Sequence, residues 1–166
     1  MSITRTESLT RRLALRQTLA LAGAAVFSLP LRALAGGHQT PITVWKDPNC
    51  GCCKDWVAHL QASGFQVTVN DSGNESARAR LGLPGKLGSC HTAQAGGYAI
   101  EGHVPARDIQ RLLKERPKVI GLAVPGMPVG SPGMDARIYG GRKDPYDVLL
   151  ISTDGSTRVY QSYNRT

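Results

Sequence analysis

The apolar residues after position 41 fall into short segments whose spacing predicts strands and helices. Residues 42–45 alternate between apolar and polar side chains, as in a half-buried strand. The next apolar positions have the i, i+3, i+4, i+7 spacing of one helix face: Cys53, Trp56, Val57 and Leu60. Ser63-Gly64 is a good helix end, and residues 65–69 form the next strand. Strand, helix and strand in such a short span favour a βαβ unit with parallel strands.

The middle of the chain predicts a second short helix and a β-hairpin. Residues 74–81 are predicted as the helix, with Asn74 as its cap. Residues 90–93 and 98–100 are predicted as the two strands of the hairpin, separated by a pair of glycines.

A third helix is predicted to begin at Pro105, because proline is favoured at the first helical position. Its apolar face comprises Ile109, Leu112 and Leu113, and Pro117 closes it. The order β-α-β-α-β-β-α is that of a thioredoxin-like domain. We therefore predict an α/β fold with a thioredoxin-like domain in residues 36–117.

The remaining residues, 118–166, are predicted to form a β-rich C-terminal extension. Residues 119–124 are a short strand, and residues 146–151 and 157–163 pair across the hairpin signal Asp154-Gly155. Residues 125–134 are rich in glycine and proline and predict a shaped loop without a regular element.

The first 35 residues differ in charge from the rest and are interpreted as an export signal. The whole chain of 166 residues has a formal net charge of +8. Residues 1–35 hold five arginines and one glutamate, which leaves 15 basic and 11 acidic residues, or +4, in the remainder. Arg11-Arg12 precedes an apolar stretch that is shorter than the about 20 residues a spanning helix needs. This pattern resembles a twin-arginine signal cleaved near Ala35, with the Sec route left open.

The signal predicts a periplasmic protein that has no membrane segment after cleavage. The modest remaining charge is scattered and only 5% of the residues are aromatic, which argues against a nucleic-acid partner. We expect a monomer whose partners are metal ions and other periplasmic metal-handling proteins.

All four cysteines lie after the signal, in Cys50-Gly51-Cys52-Cys53 and at Cys90. A structural disulfide pair is one reading, although a bridge across four residues closes almost no loop. A thiol–disulfide oxidoreductase is the second, because Cys50 and Cys53 have CxxC spacing between a strand and a helix. It leaves Cys52 unexplained. In the predicted topology Cys90 begins the strand that faces this motif, so all four sulfurs can converge.

The third reading is a metal site. Adjacent helical residues point about 100° apart, so Cys52 and Cys53 are not expected to reach one ion easily, and a single tetrahedral zinc fits badly. Thiolates can instead bridge several soft ions, and Cu(I) is the soft first-row ion that takes thiolate and thioether together. Ag(I), Hg(II) and Cd(II) are other soft ions that the same side chains could bind.

Four further side chains are candidate ligands or surrounding groups: His91, His103, Met127 and Met134. Each has a structural alternative. The methionines can fill gaps in a core. His91 can be a surface residue or support the ligands without binding metal itself, and His103 can be a capping or surface residue. His59, on the first helix, is interpreted as a surface histidine.

Four segments together resemble the CopG family of small periplasmic proteins with a CxCC motif: Trp45-Lys46-Asp47-Pro48-Asn49-Cys50-Gly51-Cys52-Cys53, Ser89-Cys90-His91-Thr92, Ile100-Glu101-Gly102-His103-Val104-Pro105 and residues 125–134. The resemblance covers nearly all of residues 42–163. It implies a thioredoxin-like domain with a C-terminal extension, and a role in copper resistance through interconversion of Cu(I) and Cu(II).

The resemblance also implies a ligand set. Cys50, Cys52 and Cys53 would hold a multinuclear, cysteine-bridged copper cluster, surrounded by Cys90, the two histidines and the two methionines. We expect a copper-binding protein that holds several Cu(I) ions. The alternatives are a thiol–disulfide oxidoreductase that uses Cys50 and Cys53, and a chaperone for a single copper ion.

Overall fold

A computed structural model describes residues 39–165. The predicted export signal lies outside these residues. The strands are β1 (Thr40–Lys46), β2 (Phe65–Asn70), β3 (His91–Ala95), β4 (Tyr98–Glu101), β5 (Gly121–Ala123), β6 (Tyr146–Ile151) and β7 (Thr157–Tyr163). The helices are α1 (Gly51–Ala62), α2 (Asn74–Arg80) and α3 (Ala106–Glu115), and single 3-10 turns occur at Gly85–Leu87 and Arg137–Tyr139. The predicted α/β class is confirmed.

One mixed sheet contains all seven strands in the order β2-β1-β3-β4-β5-β6-β7. β1 and β2 are parallel, as the βαβ prediction requires, and β3 and β4 form the predicted antiparallel hairpin. β5 pairs in parallel with β4, and the β6–β7 hairpin continues the sheet beyond it. The three strands of the predicted extension therefore belong to the same sheet as β1–β4. The assignment of β1–α3 as a thioredoxin-like domain stays a prediction.

The two faces of the sheet have separate apolar cores. On one face, Ile100 and Leu122 pack with Trp56 and Leu60 of α1 and with Ile109 of α3. On the other face, the neighbouring strand residues pack with the segment around the first 3-10 turn: Ala99, Ala123 and Ile151 with Leu83 and Leu87. Because side chains alternate along a strand, a residue's position in β3 or β4 fixes which core it faces.

The helix boundaries follow the sequence with two corrections. Pro105, predicted as the first residue of α3, is instead its N-cap, and α3 begins at Ala106. The buried residues of α1 are the four that the spacing predicted, and the helix ends at Ser63, before Gly64 with its positive φ of 88°. The prediction that Asn74 caps α2 is wrong. Gly73 adopts the left-handed conformation (φ 75°) and is the capping residue, so Asn74 already lies in the first turn.

The interpretation of His59 as a surface residue is also wrong. His59 is half-buried, and its Nε2 atom accepts a hydrogen bond from the backbone N–H of Ala106, at a distance of 3.1 Å. The imidazole thus satisfies one of the free N–H groups at the beginning of α3. Burial lowers the pKa of His59, an effect that the charge of Asp135 partly offsets. The neutral imidazole therefore keeps its acceptor nitrogen.

Within residues 39–165, no helix has both the length and the apolar character needed to cross a membrane.

Replacement of His59 by alanine is expected to lower the free energy of unfolding by about 1 kcal/mol at neutral pH, because it removes a helix cap. Gln61→Ala, at an exposed position of the same helix, is the matched control. The pKa of His59 is depressed in the folded protein, so its stabilisation is present above the unfolded pKa of about 6.5 and is lost as the pH falls. The difference between wild type and His59→Ala should therefore shrink on acidification. Equal stabilities at neutral pH would rule out the cap.

Candidate metal site

The CxCC motif lies at the N-terminus of α1. Cys50 is the capping residue in an extended conformation, and the first turn carries Cys52 and Cys53. The backbone N–H of Cys50 donates to the Asp47 carbonyl at 3.2 Å. The ammonium group of Lys46, which is 4% exposed, donates to the same carbonyl at 3.1 Å. The turn that presents the motif is thus fixed by a buried lysine at the end of β1.

Cys90, immediately before β3, completes a group of four sulfur atoms. The Sγ atoms of the four cysteines all lie within 4.8 Å of one another. The Sγ atoms of Cys52 and Cys90 are 3.9 Å apart, and Cys53 Sγ lies 3.6 Å from the Cys90 carbonyl oxygen. The predicted convergence of the cysteines is therefore found.

This proximity corrects the argument that Cys52 and Cys53 cannot reach one ion. Their Sγ atoms belong to the same group within 4.8 Å, which could hold a single metal ion. The angle of about 100° between neighbouring residues describes directions around the helix axis. Side chains also tilt toward the helix N-terminus, so at the first turn they can converge beyond the end of the helix.

Cys50 and Cys53 form a disulfide in this structure, with their Cα atoms 5.3 Å apart. Cys52 and Cys90 are free thiols. The structure thus has the bridge that the oxidoreductase reading requires, together with two adjacent thiols that this reading does not use.

Two histidines form a second donor group with Cys90. His91 Nδ1 lies 3.3 Å from Cys90 Sγ, and His103 Nε2 lies 3.1 Å from it. The opposite nitrogen of each ring faces a backbone carbonyl, Gly102 O for His91 and Pro132 O for His103, at 3.0 and 2.8 Å. Because a carbonyl only accepts, it selects the tautomer whose N–H points at it. Each histidine therefore turns an unprotonated nitrogen toward Cys90, which is the arrangement that metal-ligating histidines require.

Both histidines are fully buried, so their surface alternatives are wrong, and His103 makes no cap hydrogen bond to α3. Metal ligation by His91 and His103 stays a prediction. The indole of Trp56 packs on His91 with a ring-centre distance of 4.2 Å, and the two imidazoles meet edge to face at 5.0 Å. The indole N–H donates to the Val104 carbonyl at 2.9 Å. Sequence spacing predicted Trp56 only as a core residue of α1, but it also forms the wall behind His91.

Burial disfavours the charged forms of both imidazoles and of the Cys90 thiol. It lowers the pKa of His91 to about 3, with a further contribution from His103, and it also lowers the pKa of His103. Burial, reinforced by repulsion from Cys52, raises the pKa of the Cys90 thiol to about 12. At neutral pH the imidazoles are therefore neutral and Cys90 is a protonated thiol, which would have to lose its proton to bind a metal ion.

The loop of residues 125–134 reaches the site through its backbone. Gly133 packs on the first turn of α1, where a Cβ atom would lie 2.6 Å from the Cys52 carbonyl oxygen and 2.8 Å from the Trp56 nitrogen. Met134 is buried, and its sulfur accepts a hydrogen bond from the Tyr139 hydroxyl at 3.6 Å. Met127 is half-exposed. Ligation by either thioether stays a prediction.

The fold and the site define an α/β protein in which cysteines and histidines form groups that could hold a metal ion. Residues 87–134 match a family model described as a protein of unknown function, DUF411. Two solved structures, both described as copper resistance protein CopG (Form 2 and Form 1), are 48% identical to this chain. Each match has a TM-score of 0.69 and covers 75% of this chain and 98% of the other.

No curated protein sequence matches the chain. The identity and coverage of the solved structures nevertheless establish the relationship. The chain belongs to the CopG family.

Gly133→Ala is expected to destabilise the protein by about 1–3 kcal/mol more than Gly140→Ala, because the new methyl group overpacks the first turn of α1. Both glycines have positive φ, but a Cβ atom at Gly140 would meet no atom within 4 Å. The control therefore has the same kind of backbone strain without the collision. Thermal or denaturant unfolding measures the difference, and equal losses would show that the loop does not press on α1.

Proposed function

We propose that the chain binds copper ions through its cysteines and histidines and contributes to copper resistance. The observation that carries this proposal is the meeting of four sulfur atoms with two imidazole nitrogens at the N-terminus of α1. Thiolate is a soft ligand that suits Cu(I), and imidazole also suits copper. The 48% identical relative is described as a copper resistance protein, which supports the same role here.

A cluster of several ions is the arrangement we favour. Cys90 belongs to both donor groups, one with the other three cysteines and one with His91 and His103. Its sulfur can therefore bridge an ion held by cysteines and an ion held by imidazoles. Bridging thiolates also explain the use of three cysteines within four residues, because Cys52 then supplies a further bridge between ions. The soft donors favour Cu(I).

Redox chemistry is the second part of the proposal. Reduction of the Cys50–Cys53 disulfide takes up two electrons and two protons and gives two thiols, so the full set of four thiolates is available only in the reduced protein. Thiolates hold Cu(I), and copper exchanges single electrons between Cu(I) and Cu(II). Oxidation of the Cys50 and Cys53 thiols to the disulfide would release two electrons and two protons, and the two electrons would reduce two Cu(II) ions to Cu(I).

The setting of this function is the periplasm, after removal of residues 1–35. There the chain would act as a monomer and exchange copper with other periplasmic copper-handling proteins. Met127 is the more accessible of the two candidate thioethers, with 51% of its surface exposed. We place it at the entrance of the site, and Met134 beside the cluster.

A thiol–disulfide oxidoreductase is the second candidate, and the Cys50–Cys53 disulfide favours it. A disulfide at a helix N-terminus is a common redox arrangement, because the end of the helix stabilises a thiolate. This function needs Cys50 and Cys53 only. The two candidates therefore differ in what they require of Cys52 and of the histidines.

Anaerobic titration of the fully reduced protein with Cu(I), with metal counted by elemental analysis, separates the candidates. A cluster predicts more than about two copper ions per chain, because bridging thiolates share ions. Cys52→Ser should abolish this multinuclear binding, and His103→Gln should weaken it. The matched control is His59→Gln, since His59 faces Ala106 rather than the cysteines.

If Cys52→Ser keeps the full copper stoichiometry, the cluster model is wrong. One copper ion or fewer in the wild type, with reversible formation of the Cys50–Cys53 disulfide, would favour the oxidoreductase.

A further inference from the structure

A buried ion pair lies on the opposite face of the sheet from the histidines. Glu101, the last residue of β4, is fully buried, and the side chain of Arg78 on α2 is 15% exposed. Glu101 Oε1 accepts a hydrogen bond from Arg78 Nε at 3.0 Å, and a terminal nitrogen of Arg78 lies 2.8 Å from the same oxygen as an ion-pair contact. His91 faces α1 on the other side, as its contact with Trp56 shows. The pair therefore cannot touch the metal site through its side chains.

The ion pair instead binds the backbone of Ser89, the residue before Cys90. We call the hydrogen bonds of Arg78 and Glu101 to Ser89 the clamp. The N–H of Ser89 donates to Glu101 Oε1 at 2.6 Å, and Arg78 donates to the Ser89 carbonyl at 2.8 Å. Both polar backbone groups of the residue before Cys90 are thus held by one charged pair. The Thr92 hydroxyl donates to Glu101 Oε2 at 2.7 Å and fixes the second carboxylate oxygen. Hydrogen bonds to charged groups are the strongest of their kind, so this backbone has little freedom to shift.

Two glycines leave room for this arrangement. A Cβ atom on Gly88 would lie 3.2 Å from the guanidinium carbon of Arg78. A Cβ atom on Gly102 would lie 2.4 Å from the Val124 carbonyl oxygen and 2.7 Å from the Cβ atom of Ser89. The close approach at Gly102 matters because its carbonyl also receives the His91 N–H. The clamp on Ser89 and the orientation of His91 thus depend on the same short stretch of backbone.

A buried ion pair contributes little to the free energy of unfolding. The loss of hydration of two charges offsets most of their attraction, and apolar replacements are often as stable. What the pair supplies is a fixed geometry, since each of its hydrogen bonds has a defined direction. Both Glu101 oxygens already accept hydrogen bonds, so this carboxylate is not a free ligand.

We infer that Arg78 and Glu101 are positioning residues for the metal site, which set the place of the Cys90 thiol by clamping Ser89. This inference rests on the proposed function in so far as the thiol is a copper ligand. The clamp itself exists in the protein without metal. Its effect on Cys90 can therefore be measured with and without copper.

The first test uses the metal-free protein with the Cys50–Cys53 disulfide intact, in which Cys52 and Cys90 are the free thiols. The rate of alkylation by iodoacetamide is measured at each cysteine by mass spectrometry. In Arg78→Met we expect Cys90 to react about tenfold faster, because release of Ser89 lets this backbone open locally. Cys52 should keep its rate and serves as the internal reference. Arg80→Met is the matched control, since Arg80 is exposed on the same helix and lies over Trp45.

A second variant separates positioning from stability. Arg78→Met combined with Glu101→Leu removes both charges, so neither is left buried without a partner. We expect its unfolding temperature to recover toward that of the wild type, whereas alkylation of Cys90 stays fast. If the double variant folds normally and its Cys90 reacts at the wild-type rate, the inference is overturned.

The second test measures Cu(I) affinity of the reduced proteins by competition with a chromophoric chelator. Loss of groups that orient metal ligands typically lowers affinity by about 10- to 100-fold, and we expect this for both Arg78 variants but not for Arg80→Met. Wild-type affinity in the double variant would overturn the inference. A wild-type protein that binds no copper would overturn the proposed function instead, and the alkylation rates would then decide on the clamp alone.

Discussion

The metal site depends on the contact between the beginning of β3 and the first turn of α1. Trp56 packs on His91, and Cys53 lies against the carbonyl oxygen of Cys90. β3 pairs with β1 on one side and β4 on the other, and the pair Lys46–His91 is the last step of the β1 register. Cys90 therefore cannot move far without disturbing both pairings. Strand pairing in the sheet therefore brings the Cys90 segment to the CxCC motif.

The orientation of the donors comes from irregular backbone. The Gly102 and Pro132 carbonyls each take one imidazole N–H, and this leaves the other nitrogen of each ring facing Cys90. Pro132 belongs to the loop after β5, which has no regular element. A loop of this kind can present a carbonyl sideways, where a strand would use it for pairing. The glycine-rich segment is therefore part of the site through its main chain, whatever the role of its methionines.

Local patterns in the sequence predicted most of the helices and strands. Hydrogen bonds of side chains to residues far away in the sequence were not predicted. The spacing of Cys53, Trp56, Val57 and Leu60 is a property of one helix and identified its buried face correctly. The topology then sufficed to predict that Cys90 meets the CxCC motif. Nothing periodic marks the hydrogen bond of His59 to α3, or the pairing of Arg78 with a residue 23 positions away. The expectation that Cys52 and Cys53 do not easily reach one ion failed for a different reason. It used only the angle between residues around the helix axis, whereas side chains at the first turn can converge beyond the end of the helix.

The electrostatics of the site connect its burial with its selectivity. A group of neutral imidazoles and a protonated Cys90 avoids the cost of burying charge. A metal ion enters only if its bonds to sulfur and nitrogen repay the loss of its hydration and the removal of the thiol proton. Hard cations such as Mg²⁺ dehydrate reluctantly and gain little from sulfur. Soft cations lose less hydration free energy and gain more from bonds to sulfur and nitrogen. The high pKa of Cys90 would add the removal of its proton to the cost of binding a metal ion, whereas the low pKa of His91 leaves its nitrogen with no proton to displace. The thiol therefore favours ions that form strong bonds with sulfur.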